Sequence, residues 1–138
     1  MANVVEVTKI QDGPRNAIFH IYLQSDGASG ELSNVTLIDP AVDFDPALPA
    51  SPILIIEKLW YDITGFDGIL KFEDLVNETP VWTLSGHGHF LDFSPMGGLK
   101  DRSDNLDGTG KILLATAGFT TLGEQGTIIL QVKKHYPQ

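Results

Sequence analysis

Ile53–Thr64 reads ILIIEKLWYDIT, the longest run of mainly strand-forming residues in the chain, set between a proline-rich segment and Gly65. In an extended chain successive side chains point to opposite faces. Ile53, Ile55, Leu59, Tyr61 and Ile63 then share one face, interrupted by Glu57. Leu54, Ile56 and Trp60 share the other with Lys58, Asp62 and Thr64. Two apolar faces predict a central strand, covered on both sides over its first half.

Working outward, Gly65-Phe66-Asp67-Gly68 predicts a tight connection, with Ile69–Glu73 returning as the next strand of a hairpin. Upstream, Pro40, Pro46, Pro49 and Pro52 disfavour helix and ladder pairing through Pro40–Pro52. That segment is a long, semi-rigid loop, either functional or a plain crossover between sheets. Before it, Asn3–Ile10 reads as a first strand and Asp12-Gly13-Pro14 as a turn. Arg15–Leu23 alternates: Ala17, Phe19, Ile21 and Leu23 form one face, Ile18, His20, Tyr22 and Gln24 the other. Asn34–Asp39 is a third short strand. Downstream, Thr79–Phe93 alternates until Gly86 and Gly88 interrupt it, a bulge signal. Ser94–Gly110 is a second long loop. Lys111–Thr116 and Gly126–Tyr136 close the chain, the latter with Ile128, Leu130, Val132 and Tyr136 on one face.

No segment carries a useful i, i+3, i+4 apolar pattern, and the helix-like run Phe72–Asn77 is too short to stand alone. The expected fold is therefore all-β: one domain, residues 1–138, built as an antiparallel β-sandwich or jelly roll of about eight strands with two long loops.

The 138 residues, 42% of them apolar and 20% charged, have globular composition and enough length for a hydrophobic core. Eighteen acidic residues against nine Lys and Arg give a net charge of −9. Such a surface repels phosphate backbones and argues against a nucleic-acid partner; a basic partner surface suits it better. The absence of cysteine excludes disulfide scaffolds, thiolate zinc sites and thiol catalysis. The N-terminus, MANVVEVTKI, lacks the basic and apolar regions of a signal peptide, and the apolar runs Ile53–Ile56 and Ile112–Ala115 are too short to span a bilayer. The expectation is a soluble protein made in the cytosol, without a membrane partner.

No catalytic motif rises above background. His87 and His89 stand at the i, i+2 spacing that puts two imidazoles on one strand face, but zinc needs further ligands, which His20 or an Asp could supply only through the fold. They are read as a histidine pair on a strand surface. Asp101–Gly110, DRSDNLDGTG, offers Asp101, Asp104, Asn105 and Asp107 as oxygen donors, yet the calcium-loop register fails: Ser103 falls where the first Asp belongs and Leu114 where the closing Glu belongs. It is read as an acidic surface turn, so no metal or other cofactor is expected. Glu57, Asp62, Asp67, Glu73 and Asp74 could pair as catalytic carboxylates only through a cleft that spacing does not define. Thr83–His87 lacks the glycines of a nucleophile elbow, and Gly108-Thr109-Gly110-Lys111 is not a phosphate-binding loop. Trp60, Tyr61, Phe66 and Trp82 are either sandwich core or a stacking platform for carbohydrate, with core the expected role.

Several stretches together carry a likeness. They are Asp12-Gly13-Pro14-Arg15-Asn16, the Ile-rich strand with Trp60, Val81–Phe90 (VWTLSGHGHF), Gly97-Gly98-Leu99, Gly110–Leu114 and Thr127–Lys134. In this order they resemble a family of small structural proteins of tailed bacteriophages, assigned as capsid decoration (cement) or minor virion proteins. The Pro40–Pro52 loop is longer than that pattern. The resemblance implies a non-enzymatic β-sandwich that binds the major capsid protein on the capsid exterior of a virion, often as a homotrimer, after synthesis in the host cytoplasm. It implies partner contacts from the N-terminal strand (Val4, Val5), the proline loop (Pro46, Pro49) and the second loop (Gly97, Gly98, Leu99). The alternative is a carbohydrate-binding or host-adhesion module of the same fold, associated with a tail or fibre.

Overall fold

The computed structural model describes residues 3–40, 42–44, 53–74, 78–99 and 108–135. Within them the chain is all-β: β1 Val4–Asp12, β2 Asn16–Gln24, β3 Val35–Ile38, β4 Ile53–Asp74, β5 Glu78–Asp92, β6 Gly108–Ala117 and β7 Gln125–His135, with one 3-10 turn at Ser94–Met96. All pairings are antiparallel along the path β1-β2-β7-β4-β6-β3, with β5 against β4.

The organising strand is longer than the sequence reading predicts. β4 runs 22 residues without turning back, so the expected hairpin at Gly65–Gly68 is absent and two predicted strands are one. Over Ile53–Thr64 it pairs with β7, and over Asp67–Asp74 with β6, while β5 accompanies it from Lys58 to Glu73. The changeover is a bend. Between Asp62 and Asp67 the register with β5 moves from His87 to Ser85, leaving extra residues on β4. Gly65 and Gly86 adopt positive φ there (86° and 67°), a backbone state that side-chain-bearing residues resist. Ile63 and Phe66, on either side of Gly65, are both buried, which holds the bend in the core instead of releasing it as a solvent turn.

The sheet thus folds over itself into a sandwich. β1, β2, β7 and the first half of β4 form one layer, the second half of β4 with β6 and β3 the other, and the β4–β5 pair runs through both. One cluster of buried side chains fills the space between, drawing Phe19, Ile21 and Leu23 from β2, Leu59 and Phe72 from the two halves of β4, Leu114 from β6 and Leu130 from β7.

A second irregularity changes which residues of β4 enter that cluster. Ile56 pairs with Val132 and Lys58 with Gln131, so β4 advances two residues while β7 advances one, and Glu57 is the extra residue of a bulge. An inserted residue reverses the alternation beyond it. Leu54 and Ile56 before the bulge, and Leu59 and Ile63 after it, all face the core. The grouping of Ile55 with Leu59 and Ile63 is therefore corrected. Ile55 is buried on the opposite face, where Gly98 lies so close that a Cβ there would come 2.3 Å from Ile55 Cγ2. Covering of both faces holds at Leu54, Ile55 and Ile56.

The loops are pinned by carboxylates. Glu31 accepts hydrogen bonds from Phe119 N (2.9 Å), Thr116 Oγ1 (2.9 Å) and Gly118 N (2.7 Å), tying the β2–β3 connection to the end of β6. Asp26 accepts from Ser29 Oγ and from the amides of Ser29 and Ala28. These bonds favour the charged forms. The amide of Phe119 above all holds Glu31 below its ordinary value, and the Ser29 hydroxyl above all lowers Asp26 to about 2. A depressed folded-state pKa gives stability that is present above the unfolded pKa and is lost as pH falls through the folded one. The melting temperature should therefore hold from neutral pH to about 5 and fall between about 4.5 and 2. Glu31→Gln should start lower at pH 7 and lose less over that acid window. Parallel melting curves for the variant and the parent across the window would show that Glu31 makes no contribution to the acid loss.

Candidate functional site

On the layer built from β1, β2, β7, β4 and β5, the face turned away from the core can be read from register. Three transverse rows cross it. Thr8, His20, Ile129 and Trp60 form the middle row. Glu6, Tyr22, Thr127, Asp62 and His87 form the row on one side, and Gln11, Ile18, Gln131, Lys58 and Asp92 the row on the other.

The middle of this face is aromatic. Trp60 is 37% and Phe90 47% exposed, and their rings pack with centroids 4.6 Å apart at 55°. Lys58 Nζ stands 5.8 Å from the centre of the Phe90 ring. Beside Trp60 lies an open hollow of about 450 Å³, bordered by Ile18, Trp60, Tyr61, Asp62, Thr127 and Ile129, with Gly88 completing it. Tyr61 pairs with Gly88 across the β4–β5 ladder and lays its ring over the glycine, where a Cβ would fall 2.1 Å from Tyr61 Cε1. At the polar end, His87 Nδ1 and Asp62 Oδ1 are 2.5 Å apart, both side chains well exposed.

The four aromatic candidates separate. Phe66 is core, edge-on to Phe119 at 4.6 Å. Trp82 is half-buried against Phe93 at 5.1 Å, and Tyr61 packs on the core beside Gly88. Trp60 alone of the four reaches the outer face. Its partner Phe90 is missing from the sequence reading, although it follows His89 within the quoted VWTLSGHGHF stretch. The β5 bulge between the Leu59–Leu91 and Tyr61–Gly88 pairs sets Phe90 beside Trp60, and spacing alone does not foretell that.

The remaining predicted positions scatter. Val4 and Val5 open β1, half-buried, paired with Gln24 and Leu23, Val5 resting on the core. Gly97, Gly98 and Leu99 turn back onto their own chain: Leu99 and Ile56 exchange backbone hydrogen bonds of 2.8 and 3.0 Å, extending the ladder at the start of β4. His87 is committed to Asp62, and the side chain of His89, like Pro46, Pro49, Asp101 and Asp107, lies outside the described residues. His20 sits in the middle row, across from Ile129, and not in the His87 row. Among the described residues no three His, Cys, Asp or Glu side chains gather as a metal-holding group, and no helix is long and apolar enough to cross a membrane.

A buried ionic cluster sits at the edge of the core and is structural. Lys134 on β7 points inward, 8% exposed; its ammonium meets the Asp12 carboxylate and Gly13 O (2.8 Å), and stands 4.6 Å from the centre of the Phe44 ring. Lys9 reaches Asp12 at 3.2 Å and Asp43 O at 2.9 Å. Comparison with protein-family models, with curated proteins and with solved structures finds no match to this chain.

Proposed function

We propose that the protein is a non-enzymatic structural protein of a tailed-phage virion, specifically a capsid decoration protein that binds the major capsid protein on the exterior of the shell as a homotrimer. One observation carries this reading: a five-strand sheet face with an exposed aromatic pair at its centre and polar groups around it. Stable interfaces combine an aromatic centre with a polar rim and bury roughly 800 Å² on each partner. A broad sheet face supplies such an area, and a shell lattice presents broad repeated surfaces to receive it. The resemblance in strand and glycine order points the same way.

Co-sedimentation with undecorated capsids tests the proposal, alongside the solution mass of the free protein. Trp60→Ala should cost less than about 1.5 kcal/mol of stability, since the side chain is already partly in water. It should nevertheless weaken shell binding by tenfold or more, as expected of a central aromatic anchor worth about 2 kcal/mol. Unchanged binding by this variant would move the contact to another face.

The adjacency of Trp60 to the Asp62–His87 pair favours a second reading, a carbohydrate-binding module. A specific shift of tryptophan fluorescence on titration with glycans would support it over shell decoration.

A further inference from the structure

The hollow beside Trp60 has a definite chemistry, and it narrows what the outer face can receive. Its border takes in Ile18, Ile129 and the Trp60 indole, with Asp62 adding a carboxylate and Thr127 a hydroxyl. Trp60 is braced from behind by Phe90. An aromatic wall beside an apolar hollow is the form that interface hot spots take.

We infer that this hollow receives a single apolar side chain, aromatic or branched aliphatic, presented by a basic segment of a partner protein, with a partner Lys or Arg meeting Asp62. The inference rests on the decoration reading for the identity of the partner, but not for the chemistry of the hollow.

Three observations select this occupant. A pyranose ring carries several hydroxyls, each needing a hydrogen-bond partner once desolvated, and the hollow is walled chiefly by Ile18, Ile129 and Trp60. An apolar side chain has no such need. Next, Asp62 is 67% exposed at the rim, bound to an equally accessible imidazole, and Glu6 stands in the same transverse row. An incoming cation can share or take over the Asp62 carboxylate without a desolvated charge being left alone. Finally, the chain carries a net charge of −9. A second copy placed face to face would bring like charge against like charge, whereas a basic segment is drawn in.

The test uses the full chain and three short blocked peptides, acetyl-Arg-Phe-Arg-amide, acetyl-Glu-Phe-Glu-amide and acetyl-Arg-Ser-Arg-amide, with methyl glucopyranoside as the sugar probe. Amide resonances of Ile18, Thr127 and Ile129 report on the hollow. The Arg-Phe-Arg peptide should shift them with a Kd near 1 mM, an affinity of about −4 kcal/mol. The Glu-Phe-Glu and Arg-Ser-Arg peptides should bind at least about fivefold more weakly, a gap of roughly 1 kcal/mol. Asp62→Asn, a change at an exposed position, should remove most of the preference for Arg over Glu. Equal binding of the two charged phenylalanine peptides, binding of the glucoside instead, or no shift at about 10 mM peptide, well above that Kd, would each overturn the inference. Capsid co-sedimentation separates this outcome from the larger proposal. Shells that bind the parent and Asp62→Lys alike would count against the hollow while leaving decoration intact. A hollow that selects Arg-Phe-Arg in a protein that ignores shells would uphold the hollow and end the decoration reading.

Discussion

Asp12→Asn is expected to destabilise the fold by about 3–5 kcal/mol, the cost of leaving a buried charge without its counter-ion. Asp12 is the carboxylate for Lys134, whose side chain is 5% exposed, and also for Lys9. Without it Lys134 keeps the Gly13 carbonyl and the Phe44 ring, neither of which carries a full negative charge. The segment 42–44 would loosen with it, because Phe44 packs edge-on to Phe19 at 5.8 Å and Lys9 holds the Asp43 carbonyl. Lys134→Met should behave differently. It removes the buried charge and retains an unbranched apolar chain, while Asp12, 11% exposed, keeps Lys9 at 3.2 Å, so its loss should be smaller than that of Asp12→Asn. The double variant should regain most of what Asp12→Asn loses. Denaturant unfolding of the three variants decides the matter: a small loss for Asp12→Asn, or no recovery in the double variant, would show that the ammonium finds other compensation.

Gly98→Val is expected to cost about 2–4 kcal/mol, through strain at a special backbone position together with overpacking. Gly98 has φ of 85°, which a β-branched residue resists, and a Cβ there would meet Ile55 Cγ2 at 2.3 Å and the Ile56 carbonyl oxygen at 3.1 Å. The neighbouring carbonyl belongs to the ladder itself, since Ile56 O accepts from Leu99 N. Relief would break the bonds that cover Ile55. Gly97 also has positive φ, but a Cβ there meets nothing within 4 Å. Gly97→Ala should therefore lose only the conformational part, about 1 kcal/mol. Thermal melts that rank Gly97→Ala equal to or below Gly98→Val would contradict the packing argument. A role for this segment in partner binding, proposed from the resemblance, would show as a loss of shell association by Gly97→Ala beyond its effect on melting.

Period-two alternation made most of the fold legible. β2 reads correctly residue by residue: Ala17, Phe19, Ile21 and Leu23 are buried, and Ile18, His20 and Tyr22 face outward. The same holds for Ile128, Leu130 and Val132 on β7. These strands pair without a register shift, so local sequence and final orientation agree. Alternation failed where a bulge intervened. Glu57 carries no mark that distinguishes an inserted residue from a paired one, and its insertion exchanged the faces of everything beyond it. Gly65–Gly68 carries the chemistry of a turn, yet β7 and β6 take up successive halves of β4 and keep it extended.

The candidate site was legible only in part. The expected core role does not hold for Trp60: the parity change at Glu57 together with the β5 bulge puts it outside, against Phe90. The buried lysine was not legible at all. Lys134 falls on the apolar face of β7, where a charge looks misplaced until the fold brings Asp12 to it from 122 positions away.

The residues by themselves thus determined the strand class, the strands that pair in simple register and the acidic, cysteine-free character of the surface. Each of these depends on local periodicity or on composition. The tertiary structure alone decided which face of the organising strand enters the core, which charge is buried and which aromatics reach the surface. Those outcomes depend on register and on contacts between distant segments, and no local pattern encodes them.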